Sequence, residues 1–374
     1  MSLRIAGMGW VTPLGRGVDA VWNRLLLGEE ALARPTSDPV SAKRYSAFRV
    51  PAEALTDLPP HPRLRRASAI SRFAAAAGID ALGQARSTIG EIDAKRMALV
   101  FAVSNGGVIY TKRFYHNIVE TGAQSASPLL FPETVFNAPA SHLAAIFGIT
   151  GTSYTLVGDG AVGVLAVKMA SDLLENEAFD FCLVVGAEEA DWLLCDAYHK
   201  WRLLKNEPPI ELFRDPPRGM ILSEGAGAVL LARQGREQID AIDLGGNFSQ
   251  RSEAKKIAGR VLHSLADENA YIVASANGTF VDLAEREAIE HELPGALVYS
   301  PKAALGESVG ASAIWQVIVA AQSLRTKRLP PMLGSSAPQG LSLSFPESGE
   351  TLHEKAIVLS CGLNQQIAGL RLRI

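Results

Sequence analysis

Two glycine-led segments, 158–163 and 306–311, each open a stretch with no polar face. Val164, Leu165, Ala166, Val167, Met169 and Ala170 line the first helix; Ala313, Ile314, Trp315, Val317, Ile318, Val319 and Ala320 line the second. A helix that is small or apolar around nearly its whole girth has nothing to show water, so it belongs inside a core. One such helix in each half predicts a duplicated α/β unit whose halves share a central helical layer.

Continuous apolar runs supply the layers around these helices. Residues 97–103 run apolar to Asn105-Gly106-Gly107, and 181–186 do the same after the helix predicted over 162–174. Such runs read as strands covered on both faces. Residues 3–7 form another, predicted to break at Gly7-Met8-Gly9 into a turn with Thr12-Pro13-Leu14-Gly15, before a helix that carries Val21, Trp22, Leu25 and Leu26. Residues 67–85 are Ala-rich and helical, whereas 35–62, rich in Pro and Ser, predict an irregular excursion. Strands alternating with helices imply an α/β fold, a largely parallel or mixed sheet with helices on both faces. The polar segment 233–238 is the best seam, dividing the chain into 1–235 and 236–374.

Composition narrows the function classes. A formal charge of −3 gives no attraction to nucleic acid or to an anionic membrane. The one dense basic cluster, His61-Pro62-Arg63-Leu64-Arg65-Arg66, reads as a solvated loop or helix start. Cys182, Cys195 and Cys361 are too widely spaced for a disulfide framework or a paired metal motif, which suits a reducing cytoplasm. The first residues lack a basic region followed by a sustained apolar stretch, so no secretion signal is expected. No apolar run reaches the ~20 residues of a membrane span.

Five segments in order then resemble the β-ketoacyl synthases, condensing enzymes of the thiolase-like fold. They are Gly7-Met8-Gly9-Trp10-Val11-Thr12-Pro13-Leu14-Gly15; Phe131-Pro132 through Asn137 with 148–155; and Arg218-Gly219-Met220-Ile221-Leu222-Ser223-Glu224-Gly225-Ala226-Gly227-Ala228. Ala276-Asn277-Gly278-Thr279 is similar to the family's Ala-His-Gly-Thr, and Ser300-Pro301-Lys302 with Gly306 and Gly310-Ala311 to its Lys…Gly-His-x-x-Gly-Ala motif. The resemblance implies a five-layered αβαβα fold, two mixed five-stranded sheets around buried helices, and a dimer formed beside the nucleophile strand. It also implies a cysteine at a helix N-terminus, where backbone N–H groups lower its pKa, acylated from an acyl carrier protein. Two histidines would then polarise the malonyl thioester.

The resemblance places Gly160 at the nucleophile, Asn277 at the first histidine and Glu307 at the second. Glycine offers nothing to acylate, though it suits a strained strand-to-helix elbow. Asn277 can donate a hydrogen bond but cannot exchange a proton near neutral pH. Glu307 puts negative charge where an oxyanion must develop. Lys302 is kept; its usual glutamate partner reads as Gln316, which makes Glu307 a replacement partner. Of two threonines that hold a pantetheine arm, one is Thr279 and the other reads as Val281. The gatekeeper Phe and double glycine read as Leu363-Asn364-Gln365, and the segment 240–270 is short of a pocket-lining loop.

Several residues admit a sharper and a blander reading. Asp159 and Glu307 could pair as carboxylates of a new site, or each could cap its helix. Cys361 could be a relocated nucleophile, but a lone cysteine after an apolar strand is more often a small buried hydrophobe. Cys182, Cys195, His142 and His199 read as structural, and Glu188-Glu189-Ala190-Asp191 as a solvated turn. The resulting expectation is a scaffold inactive for condensation. It would be a chain-length-factor-like partner of an active ketosynthase in polyketide, polyene or fatty-acid-like synthesis. The expected cofactor set is empty, apart from the 4'-phosphopantetheine of a partner acyl carrier protein. The alternatives are a thioester hydrolase or malonyl decarboxylase built on Asp159, Glu307 and Lys302, or a homodimeric acyl-chain-binding protein.

Overall fold

The computed structural model describes residues 3–38, 43–335, 343–347, 349–351, 353–364 and 366–374. The first half supplies five strands: β1 (Leu3–Thr12), β2 (Met97–Val103), β3 (Ser153–Val157), β4 (Phe181–Glu188) and β5 (Gly225–Ala232). The second supplies β6 (Gln238–Asn247), β7 (Ala270–Val273), β8 (Val298–Tyr299), β9 (Lys355–Cys361) and β10 (Gln366–Arg373). The spatial order is β3-β2-β4-β5-β1 in one half and β8-β7-β9-β10-β6 in the other. Adding five to each label of the first gives the second. Parallel and antiparallel pairings repeat in the same way, with β2 parallel to β3 and β4, and β7 parallel to β8 and β9. This is the duplication that the two apolar helices predict. The two five-stranded sheets also meet edge to edge, where Leu3 and Arg4 pair with Ile239 and Gln238.

Eight helices matter for the site: α1 (Ala69–Ile89), α2 (Val108–Thr121), α3 (Ala138–Phe147), α4 (Val162–Leu173), α5 (Trp192–Lys200), α6 (Arg251–Leu265), α7 (Phe280–Glu292) and α8 (Val309–Thr326). Successive strand residues point to opposite faces, so one strand serves two cores. Met97, Leu99, Phe101 and Val103 of β2 pack with α1, whereas Ala98, Val100 and Ala102 pack with α4 and α8. Every residue of α8 from Val309 to Leu324 is buried. Helix α4 is enclosed less completely: Leu165, Met169 and Leu173 are half-buried. Its neighbour β3 is the sheet edge, and Tyr154 and Val157 on that strand are exposed.

The segment 35–62 is more regular than its composition predicts. Ala33–Ser37 and Arg44–Phe48 pair antiparallel, and the second also pairs with Leu222–Ser223. Tyr45, Ala47 and Phe48 turn inward, and Pro35 lies on the free edge strand, where a missing N–H costs no ladder bond. The basic cluster is a single turn, Pro62–Leu64, capped by His61, with Arg63, Arg65 and Arg66 exposed. Among the described residues no helix is long and apolar enough to cross a membrane.

Candidate functional site

Asn277, Lys302 and Glu307 converge between the halves, each only 1–2 % exposed. Two glycines set them there: Gly278 (φ 89°) and Gly306 (φ 78°) adopt left-handed backbone that a side chain would strain. Glu307 is further fixed by backbone pairing, donating to Ile221 O and accepting from Ser223 N–H, both at 2.9 Å. Its Oε2 accepts from Lys302 Nζ and from Asn277 Nδ2, each at 2.7 Å, and its Oε1 accepts from Ser312 Oγ at 2.6 Å. Asn277 Oδ1 accepts from Thr279 Oγ1 at 2.7 Å, and Thr279 Oγ1 in turn accepts from Val281 N–H as the N-cap of α7. Lys302 Nζ also reaches Ser275 Oγ at 3.2 Å.

The chain thus closes a buried polar network in which donors and acceptors are matched. Gln316 takes no part in the bonds to Lys302; its amide binds Val273 O, Leu359 O and Ser360 Oγ. Thr279, 2 % exposed and with its hydroxyl committed at both ends, is not presented to an incoming arm.

Gly160 is buried at the start of α4, and its φ lies outside the left-handed region. The elbow therefore does not need glycine for strain, contrary to the sequence expectation. What favours glycine is room: a Cβ would stand 3.0 Å from Cys361 O and 3.5 Å from Gly362 Cα. The N-cap position of α4 is Ala161, not Asp159; the Asp159 carboxylate lies against Gly362 and accepts from Asn364 N–H at 3.1 Å. Glu307 likewise caps nothing, since its oxygens serve Lys302, Asn277 and Ser312. The two carboxylates bind different groups, Asn364 for Asp159 and Lys302, Asn277 and Ser312 for Glu307, so they do not meet as a pair.

Cys361 is buried, and burial pushes its thiol well above the ordinary range, so it is an inert packing residue. Cys182 and Cys195 are buried too. Leu363 is half-buried, packed on the cluster of Leu194, Tyr198, Met220 and Val309. Met220 Sδ lies 4.0 Å from Asn277 Nδ2. Gln365 falls outside the described residues.

Other buried acids escaped the sequence reading. Glu188, Glu189 and Asp191 form no solvated turn; they are 2 %, 1 % and 8 % exposed. Glu188 accepts from the N–H groups of Ser104 and Asn105, and Asp191 caps α5. On α7, Asp282 accepts from the N–H groups of Phe213, Asn277 and Gly278, and Glu285 from that of Ser275. Their i, i+3 spacing on a helix entering the core was the available signal. Ser312 was equally visible as a hydroxyl on an otherwise apolar helix.

Burial raises Asp282 to about 6, Glu189 to about 7, and Glu188 and Glu285 to about 8. These acids hold protons more tightly folded than unfolded. Their stabilisation is complete below an unfolded pKa of about 4.3 and is lost as pH rises through 6 to 8. The urea midpoint is expected to fall between about pH 5 and about pH 8, each carboxyl contributing up to about 1.4 kcal/mol per pH unit. Glu285→Gln should flatten that slope, because it removes one titrating carboxyl while its amide oxygen can still accept from Ser275 N–H. A midpoint that rises over this interval contradicts the assignment.

A groove of about 610 Å³ opens along α2, lined among others by Val108, Lys112, Tyr115, Val119, Phe136 and Leu193. Val108 packs on the same apolar cluster as Leu363, so groove and network flank one body of side chains. Exposed Tyr115, Val119, Phe131, Phe136 and Leu193 make this end of the protein unusually apolar.

The models of two families match this chain: β-ketoacyl synthase, N-terminal domain, over residues 2–236, and β-ketoacyl synthase, C-terminal domain, over 249–336. The chain belongs to the β-ketoacyl synthase family. Among curated relatives, 3-oxoacyl-[acyl-carrier-protein] synthase 2 of Vibrio cholerae is 23% identical over 370 residues, covering 90% of this chain and 89% of that protein. The chloroplastic 3-oxoacyl-[acyl-carrier-protein] synthase I of Arabidopsis thaliana is 23% identical, covering 95% and 82%.

Solved structures show that this β-ketoacyl synthase homologue has the thiolase-like ketosynthase fold. The ishigamide ketosynthase/chain length factor superposes with a TM-score of 0.85 at 18% identity, over 100% of this chain and 98% of that one. A β-ketoacyl synthase from Burkholderia phymatum gives 0.84 at 19%, over 100% and 99%. A ketosynthase in complex with its chain length factor from Xenorhabdus doucetiae gives 0.80 at 17%, over 100% and 98%.

Proposed function

We propose that this chain is a non-condensing β-ketoacyl synthase homologue that serves as a chain-length-factor-like partner of an active ketosynthase. The observation that carries the reading is the closed Asn277–Glu307–Lys302 network beside Gly160. No thiol stands at the nucleophile position, no imidazole at either histidine position, and Glu307 has both oxygens engaged. The network supports folding and leaves no group poised to polarise a thioester.

Two further features support a partner subunit. The edge strand β3 offers unpaired backbone and exposed Tyr154 and Val157, a surface that suits pairing with another chain. The groove along α2 would form one wall of a tunnel for an acyl chain delivered on the 4'-phosphopantetheine of an acyl carrier protein. Structural neighbours described as ketosynthase/chain length factor assemblies agree with this role, whereas the curated relatives are named as synthases. A hydrolase or decarboxylase built on Glu307 has less support, since that carboxylate is buried and fully bonded. The three buried, unpaired cysteines suit the reducing cytoplasm we assign to it.

Co-expression with a cysteine-bearing ketosynthase from the same source tests the reading. The expected result is a stable heterodimer on size exclusion and a longer or better-defined product than the ketosynthase makes alone. A protein that remains a homodimer and leaves product distribution unchanged overturns it.

A further inference from the structure

The residue before Gly160 binds the loop that lies against it. Asp159 is half-buried, and its carboxylate accepts from Asn364 N–H at 3.1 Å. It lies so close to Gly362 that a Cβ there would overlap it. The same loop is tied from its other side, where Cys361 N–H donates to Ser275 Oγ at 3.0 Å and Gly362 N–H to Gln366 O at 2.7 Å. Its carbonyl at Cys361 then stands 3.0 Å from where the Cβ of a side chain at position 160 would sit, a tight contact. Leu363, carried on this loop, packs into the apolar cluster over Asn277.

We infer that Asp159 is a latch: it fastens residues 361–364 over Gly160 and keeps the vacated end of the site closed to a thioester arm. A charged acceptor on a backbone N–H is a stronger tie than a neutral one, and the bare face of Gly362 is what lets the carboxylate approach. The inference rests on reading Gly160 as the vacated end of the site. It requires nothing of the partner, so it is testable even if no ketosynthase binds.

The test introduces a reporter thiol by Gly160→Cys in the full chain and follows its alkylation by iodoacetamide. The sulfur attacks the methylene carbon, iodide leaves, and the thiol proton passes to solvent. Unmodified protein sets the background from the three buried cysteines. The latch requires alkylation to be about tenfold faster in Asp159→Asn/Gly160→Cys than in Gly160→Cys alone. Because Asp159→Asn also removes a charge near the thiol, Gly362→Ala/Gly160→Cys is the deciding companion: it displaces the carboxylate but keeps its charge. Faster reaction in both supports the latch; faster reaction in the asparagine variant alone, or in neither, overturns it. If the reporter chain does not fold, hydrogen exchange at the Asn364 amide in single Asp159→Asn decides. About tenfold faster exchange supports the latch, and unchanged exchange sinks it.

Discussion

Glu307→Ala is expected to destabilise the protein by about 3–5 kcal/mol, the usual cost of leaving one member of a buried ion pair alone. The Lys302 ammonium would keep Ser275 Oγ at 3.2 Å but lose its one salt-bridge partner among the described residues, in a setting 2 % exposed. Asn277 Nδ2 and Ser312 Oγ would lose their acceptor at the same time. The cost thus includes orphaned donors as well as lost attraction. Replacing both partners by apolar residues of similar volume, Lys302→Met with Glu307→Leu, should cost much less than Glu307→Ala alone, since no charge is stranded. Urea unfolding monitored by circular dichroism gives the comparison. A loss below about 1 kcal/mol for Glu307→Ala would mean that the carboxylate is not a strut.

The sequence revealed some parts of this structure more fully than others, for physical reasons. The halves were legible because α8 has no polar stripe and because β2 and β4 are apolar on both faces; such patterns have few other homes. The pairing of Lys302 with Glu307 was legible as well, since the resemblance puts both in one motif and leaves Lys302 with Gln316 where its usual glutamate partner would stand. What stayed hidden depended on tertiary burial. The run Glu188–Asp191 is polar, and polar runs after strands usually meet water. Here backbone N–H groups of Ser104 and Asn105 cover Glu188 from elsewhere in the chain. The contact of Asp159 with Gly362 and Asn364 joins residues some two hundred positions apart, a juxtaposition that local pattern does not encode. The pairing of 33–37 with 44–48 was masked by Pro35, which argues against a strand only when its N–H must join a ladder.

Gly160→Cys should restore a thiol without restoring condensation. Steric fit is a minor obstacle, since the Cys361 carbonyl 3.0 Å away need yield only slightly. The larger obstacle lies at the two positions that the resemblance gives to histidine. Asn277 cannot move a proton, and its amide is held by Glu307 and Thr279. A positioned acid or base contributes about 10²–10⁴-fold in rate, and an oxyanion donor about 10²–10³-fold. Glu307 supplies negative charge in place of the second donor. Turnover is therefore expected at least about 10⁴-fold below that of a relative bearing all three groups. Adding Asn277→His and Glu307→His would not simply repair the site, because the second change leaves Lys302 without its ion-pair partner and incurs the same few kcal/mol as Glu307→Ala. The assay is product formation from acyl- and malonyl-carrier protein, with the thiol first shown to take up the acyl group. Condensation by Gly160→Cys alone would show that Asn277 and Glu307 are compatible with the chemistry, and that the absent thiol is all that separates this chain from an active synthase.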